Sequence, residues 1–323
     1  MRYRALGRTG LSVSEVGFGA WGIGGRTVAH TSYGDTDDAV SIAALRRAHE
    51  LGITLFDTSA AYGSGHSEEL LGAAFGGSPD VVLATKAGYE AWDRPPDFSA
   101  AAIVASAEAS LRRLRSDRID LLMLHNAPLD VLAAPDVQEA MARLAGSGKI
   151  RCWGLSAKSP ADAVAALAVE DLAVIQANFN MMDLRALTGG LFAELARRGA
   201  GFIARTPLCF GFLSGTLTRE TTYPEGDHRL GWPRAQLDNW IDGAADLLAA
   251  VGAKAGLEAV HAALRFCLSF AEVSATIPGI LTPREAEENA AASDLGPLAP
   301  ALVERVADIN RTRQFFVAQA AGS

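Results

Sequence analysis

From Asp35 onward, short apolar runs alternate with longer stretches whose apolar positions recur at helical spacing. The short runs are too brief for helices and read as buried strands, while the longer stretches read as amphipathic helices. Helices are predicted over Ala39–Leu51, from Ser67–Gly72 onward, and over Ala100–Leu114, Val137–Leu144, Pro160–Leu167 and Leu191–Arg197. Strands are predicted at 53–56, 81–85, 119–124, 150–155, 173–178 and 201–204. With Glu15–Phe18 as the first strand and Ala275–Ile277 as the last, the count reaches eight. Strand–helix alternation makes the strands parallel, and eight of them can close on themselves, so the predicted fold is a (β/α)8 TIM barrel. Ahead of it, Tyr3–Leu6 and Leu11–Val16 flank the turn-forming Gly7-Arg8-Thr9-Gly10, which predicts an N-terminal β-hairpin plugging the barrel's bottom. The Gly-rich connection from Thr206 to Pro233 is too long for an ordinary turn and reads as an extra loop over the C-terminal face. The 323 residues are expected to form one domain, 1–323.

Three consecutive predicted strands end in ionisable residues: the first in Asp57, the next in Lys86, the third in His125, while Tyr62 follows Asp57 by five positions. Parallel neighbours lie about 4.8 Å apart, so these side chains converge at one mouth of the barrel. Singly, each has an ordinary reading as a cap, a strand end or a packed core residue. Jointly, folding gives no reason to select three different ionisable types at three successive strand ends. A Tyr phenol, with a reference pKa near ~10, donates its proton poorly at neutral pH unless its phenolate is stabilised. Lys86 is expected to supply that charge, Asp57 to hold Lys86, and a neutral His125 to orient a substrate carbonyl towards Tyr62. The group lacks a hydride donor of its own.

Composition narrows the function classes. The formal charge is −8 and the sequence pI about 5.3, with Lys and Arg scattered, so nucleic acid is not an expected partner. No apolar run reaches the ~18 residues of a membrane span, and Met1-Arg2-Tyr3-Arg4 does not read as a signal peptide, so a cytoplasmic location is expected. Cys152, Cys209 and Cys267 are far apart and read as reduced structural thiols, with no metal expected. Gly17-Phe18-Gly19-Ala20-Trp21-Gly22 contains a G-x-G-x-x-G spacing, but the following Ile23-Gly24-Gly25-Arg26 continues as loop, which argues against a dinucleotide fingerprint there.

In order and spacing, Asp57, Tyr62, Lys86 and His125 match the pattern of the aldo-keto reductases, which this chain resembles from Leu6-Gly7-Arg8-Thr9-Gly10-Leu11 to Ile277-Pro278-Gly279 and Glu288-Asn289. The resemblance implies a NAD(P)H-dependent oxidoreductase acting on an aldehyde, ketone or keto sugar. It places cofactor contacts at Trp21, Ser156, Gln176, Asn180, Arg205, Pro207, Leu208, Gly211, Leu213, Gly279, Arg284, Glu288 and Asn289, the last two on the final helix. Trp21, Trp92, Phe210 and Met181 are candidates for an aromatic and apolar collar around the substrate. The chain departs from the family pattern in three places. Ala157 stands where an Asn often follows the Ser, Arg205 where a Tyr often stacks on the nicotinamide, and Gly279 where a Lys often meets the 2′-phosphate of NADPH. Glu285 takes the place of a phosphate-binding Arg, with Arg284 beside it as the one candidate cation. On the family's habit NADP(H) is favoured narrowly, with Arg284 as anchor and NAD(H) as the alternative. Two other classes stay open: a cofactor-binding regulatory subunit resembling potassium-channel beta subunits, and a barrel aldolase or hydrolase with Lys86 as a Schiff-base amine. The sequence does not indicate an oligomeric state.

Overall fold

A computed structural model describes residues 1–29 and 31–317. Two short strands come first, β1 (Tyr3–Ala5) and β2 (Ser12–Ser14), paired antiparallel around a single 3₁₀ turn at Gly7–Thr9. Eight parallel strands follow: β3 (Phe18–Gly19), β4 (Leu55–Asp57), β5 (Val82–Ala87), β6 (Ile119–His125), β7 (Ile150–Ser156), β8 (Val174–Asn178), β9 (Gly201–Arg205) and β10 (Val273–Ile277). They pair in chain order, and the seam between first and last is sealed by bridges from Val16 to Thr276 and from Gly19 to Gly279. The expected barrel is therefore present. Its first strand starts later than Glu15, because the Glu15–Gly17 backbone instead exchanges hydrogen bonds with Thr276 across the seam.

Helices cover the outside, and the one predicted over Ala100–Leu114 has those bounds, with Ser99 capping it through its hydroxyl. Three long helices lie where no element was predicted: Arg234–Val251, Leu257–Leu268 and Pro300–Thr312. Glu288 and Asn289 consequently sit on the penultimate helix, Pro283–Leu295, rather than the last. A 3₁₀ turn at Gly22–Gly24 begins at the third glycine of the G-x-G-x-x-G spacing, yet among the described residues no α-helix starts before Asp38.

Strand side chains alternate sides, and the inward parity explains how the core and the site share the barrel. Leu55, Ala84, Leu121, Met123, Val174, Ile203, Ala275 and Ile277 form one buried cluster inside it. Two residues further along the same strands, with the same parity, stand Asp57, Lys86, His125, Gln176 and Arg205. An apolar filling thus passes into a polar layer at the C-terminal rim. Leu6, Leu11 and Val13 of the hairpin belong to the same apolar cluster, which closes the other end as expected. Arg4 fastens the hairpin by donating to the carbonyls of Leu268, Phe270 and Val273 and pairing with buried Glu15 at 2.8 Å.

Gly7 marks the tightest point of that plug. Its φ is +54°, and a Cβ there would lie 2.2 Å from the Gly201 nitrogen at the start of β9. Both strain and backbone collision oppose any side chain. Gly7→Ala is therefore expected to lower the unfolding free energy by about 2 kcal/mol or more, measured by denaturant titration. A loss below about 0.5 kcal/mol, the usual scale of a surface change, would show that the hairpin is not pressed against the barrel.

Candidate active site

The polar rim is organised around Lys86, which is fully buried beside an Asp57 that is 2 % exposed. Its ammonium has three N–H groups, and each has an acceptor: Asp57 Oδ1 at 2.6 Å, the Thr58 carbonyl at 2.8 Å and the Tyr62 phenol oxygen at 3.2 Å. Burial, the largest influence, pushes the Lys86 ammonium down, but Asp57 and then Tyr62 outweigh it and leave the group above its ordinary value, hence charged. Because Lys86 donates to the Tyr62 oxygen, the phenol's own proton is directed elsewhere, and it has no protein acceptor among the described residues.

His125 closes the group from β6, 3 % exposed, with its ring 6.1 Å from that of Tyr62. Burial first, then the charges of Lys86 and Arg205, hold its imidazole well below the usual histidine range, so it is neutral at pH 7. Its Nδ1 lies 3.2 Å from Ser59 Oγ, and its Nε2 has no hydrogen bond to any described residue. Trp92 and Tyr89 stand against the imidazole at 5.1 and 5.7 Å between ring centres. The Trp92 indole nitrogen and Asn126 Oδ1 are both buried without a partner among the described residues.

The residues expected to hold the cofactor form a chain of hydrogen bonds running out from Asp57. Gln176 donates to Asp57 Oδ2 at 2.7 Å, Ser156 donates to Gln176 at 3.2 Å, and Arg205 reaches Ser156 Oγ at 3.3 Å, Asn178 Oδ1 at 2.8 Å and the Ala157 carbonyl at 2.8 Å. Burial lowers the Arg205 guanidinium from its ordinary value, and its hydrogen-bond acceptors among the described residues are all neutral. A half-buried cation at the rim without a carboxylate acceptor fits a site built for an anionic dinucleotide. The donor set also fits: Ser156 and Gln176 offer the hydroxyl and amide that a nicotinamide carboxamide requires.

Other expected contacts sort differently. Met181 is fully buried among Phe179 and its neighbours in the outer core, so it is packing and not part of a collar. Asn180 is committed to the backbone, donating to Thr206 O and accepting from Met182 N, which shapes the loop after β8. Pro207 and Leu213 are buried and Leu208 half-buried, with Gly211 at φ 93° between Phe210 and Phe212, so this segment can offer mainly backbone. Trp92 is with His125, whereas Trp21 and Phe210 meet at a second aromatic group around His228, at 4.7 and 5.6 Å. That group joins the two loops over the barrel mouth, where His228 N and Nδ1 both donate to Ser32 O. The Trp21 loop reaches Tyr62 through glycine alone, since a Cβ on Gly63 would lie 2.2 Å from Gly24 O.

Beyond β10, Gly279 has open space where a side chain would project. Arg284 is exposed and paired with Glu288 at 2.8 Å, while Asn289 is buried on the same helix. Glu285 forms a capping box with Thr282, and its Oε2 accepts from Leu281 N at 2.6 Å and Thr282 N at 3.1 Å. Ser59, Asn126 and Glu285's capping role were missed in the sequence. Ser59 carried a signal, since it lies between Asp57 and Tyr62, but the partner that gives it meaning is 66 residues away.

No group of three or more His, Cys, Asp and Glu side chains that could hold a metal occurs among the described residues, and no helix there is long and apolar enough to cross a membrane. The Aldo/keto reductase family model matches residues 15–311. The chain is 32% identical over 296 residues to aldo-keto reductase YhdN of Bacillus subtilis, covering 89% of this chain and 87% of that one. It is 30% identical to the NADH-specific methylglyoxal reductase of Escherichia coli, covering 91% and 94%. Among solved structures, the holo form of aldo-keto reductase AKR11C1 from Bacillus halodurans superposes with a TM-score of 0.76 at 27% identity, covering 96% of each chain. With the barrel, the polar rim and these matches in agreement, the chain belongs to the aldo/keto reductase family and is an NAD(P)-dependent oxidoreductase.

Proposed function

We propose that this enzyme reduces a small aldehyde, ketone or keto-sugar carbonyl to an alcohol, with Tyr62 as the proton donor. The observation that carries the reading is the hydrogen-bond count at Lys86, whose three donors are all placed and whose contact with Tyr62 frees the phenol's proton for the substrate. A reduced nicotinamide held at Ser156, Gln176 and Arg205 would supply a hydride to the carbonyl carbon. Tyr62 transfers its proton to the carbonyl oxygen, and the Lys86 ammonium stabilises the phenolate left behind. His125, neutral, donates from Nε2 to the same oxygen and fixes its direction. Asp57 holds Lys86 charged in a site where burial alone would favour its neutral form. The complete set of Asp57, Tyr62, Lys86 and His125 fits catalysis, and the neutral acceptors around Arg205 favour a dinucleotide over Schiff-base chemistry at Lys86, whose ammonium is fully engaged.

For the cofactor, the surroundings of Glu285 favour NADH. The backbone amides of Leu281 and Thr282 are the donors a 2′-phosphate would use at this helix start, and the Glu285 carboxylate already accepts from both. Arg284, the anchor expected for NADPH, is engaged by Glu288 and largely in solvent. A phosphate would therefore meet an occupied anion position and a repelling carboxylate, whereas a free ribose 2′-hydroxyl can donate to that carboxylate.

Tyr62→Phe is expected to lower turnover roughly 10²–10⁴-fold while fluorescence titration shows nucleotide affinity unchanged. Residual activity within about tenfold of wild type, only ~1.4 kcal/mol, would remove Tyr62 from the chemistry. For the cofactor, wild type should bind NADH more tightly than NADPH and show the higher kcat/KM with it, and Glu285→Arg should shift both towards NADPH. A wild type that prefers NADPH and loses that preference in Arg284→Ala would restore Arg284 as the anchor.

A further inference from the structure

We propose that Ser59 is a positioning residue that fixes His125 in the tautomer carrying its proton on Nε2. The inference rests on the proposed role of His125 and deepens it, since a neutral imidazole can donate to a substrate oxygen only from the nitrogen that bears hydrogen. Ser59 Oγ is fully buried and has two neighbours: it accepts the Ala61 N–H at 3.2 Å and lies 3.2 Å from His125 Nδ1.

A hydroxyl has one proton and two lone pairs, so two arrangements are open at the contact with the imidazole. If Nδ1 bore the hydrogen, Ser59 would accept both from it and from Ala61, and its own proton would be buried without an acceptor among the described residues. If Nδ1 is bare, Ser59 donates to it, and both the hydroxyl and Nδ1 are satisfied. Leaving a buried donor unpaired carries a desolvation penalty that selects the second arrangement. His125 stays neutral because burial and the charges of Lys86 and Arg205 oppose a second proton. Its remaining hydrogen is then on Nε2, the nitrogen without a partner in the protein.

Ser59 also ties the two groups that flank the substrate oxygen. Its carbonyl accepts from Tyr62 N at 3.0 Å, shaping the turn that presents the phenol, while its hydroxyl sets the imidazole. One residue thereby couples the orientation of the proton donor on the loop after β4 to that of the hydrogen-bond donor at the end of β6.

The test is ¹⁵N NMR of the full-length protein with labelled histidine, with His125 assigned by comparison with His125→Gln. The wild-type spectrum should show His125 as a single neutral tautomer protonated at Nε2 across the ordinary histidine titration range. In Ser59→Ala the Nδ1–H form should appear beside it, with kcat/KM for a carbonyl substrate reduced about tenfold and nucleotide affinity unchanged. Ser59→Thr, which keeps the hydroxyl, should restore the single tautomer. A wild-type His125 protonated at Nδ1, or a tautomer signature identical in wild type and Ser59→Ala, would overturn the proposal. The spectrum decides the tautomer without turnover, so failure here is distinguishable from failure of Tyr62 as the proton donor.

Discussion

The site depends on one ion pair buried at the barrel mouth. Lys86 and Asp57 meet at 2.6 Å with side chains 0 % and 3 % exposed, a placement that desolvation makes costly. Such a pair persists only if its remaining hydrogen-bonding capacity is used, and here it is: Thr58 O and Tyr62 take the other Lys86 donors, and Gln176 serves the second Asp57 oxygen. A hydrophobic pair of the same volume would hold the barrel together as well or better. The charge is therefore explained by what it does to Tyr62, and the cofactor-side network begins from the same carboxylate.

The barrel makes this arrangement affordable to fold. Inward positions near the bottom are filled by Leu55, Ala84, Leu121, Val174 and Ile203, with the hairpin's Leu6, Leu11 and Val13 below them, so water is excluded from one end. Continuing the same inward parity, the upper positions become Asp57, Lys86, His125, Gln176 and Arg205. Each charged group enters the interior only at the rim, where neighbouring strands deliver partners in register, His125 beside Ser156 and Ser156 beside Gln176. The chemistry sits on rigid strand ends while the loops around Trp21 and His228 close over it.

Much of this was legible in the sequence because it follows from local rules. Strand length, alternation with helices and the residue terminating each strand gave the barrel and the convergence of Asp57, Lys86 and His125, and the helix over Ala100–Leu114 matched to the residue. What was not legible depends on distant partners. The helix at Arg234–Val251 begins without a side-chain cap and ends at Gly252, so its start is marked only by Pro233 at the end of a long loop. Met181 reads as a flexible apolar side chain until its enclosure in the core is seen. Glu285 reads as a charge near a phosphate, but its capping role needs the geometry of Leu281 and Thr282, and the bond from Gln176 to Asp57 spans 119 residues.

The central claim, that the Lys86–Asp57 pair is kept for chemistry and is a coupled unit, is tested most directly by a double-mutant cycle. Denaturant unfolding and carbonyl turnover would be measured for Asp57→Asn, Lys86→Met and the two combined. Each single change leaves a buried group without its partner and is expected to cost about 3–5 kcal/mol, whereas the double variant should lose clearly less than the sum. Turnover should be lost in all three. Additive stability losses, or a double variant that keeps turnover within about tenfold of wild type, would contradict the account.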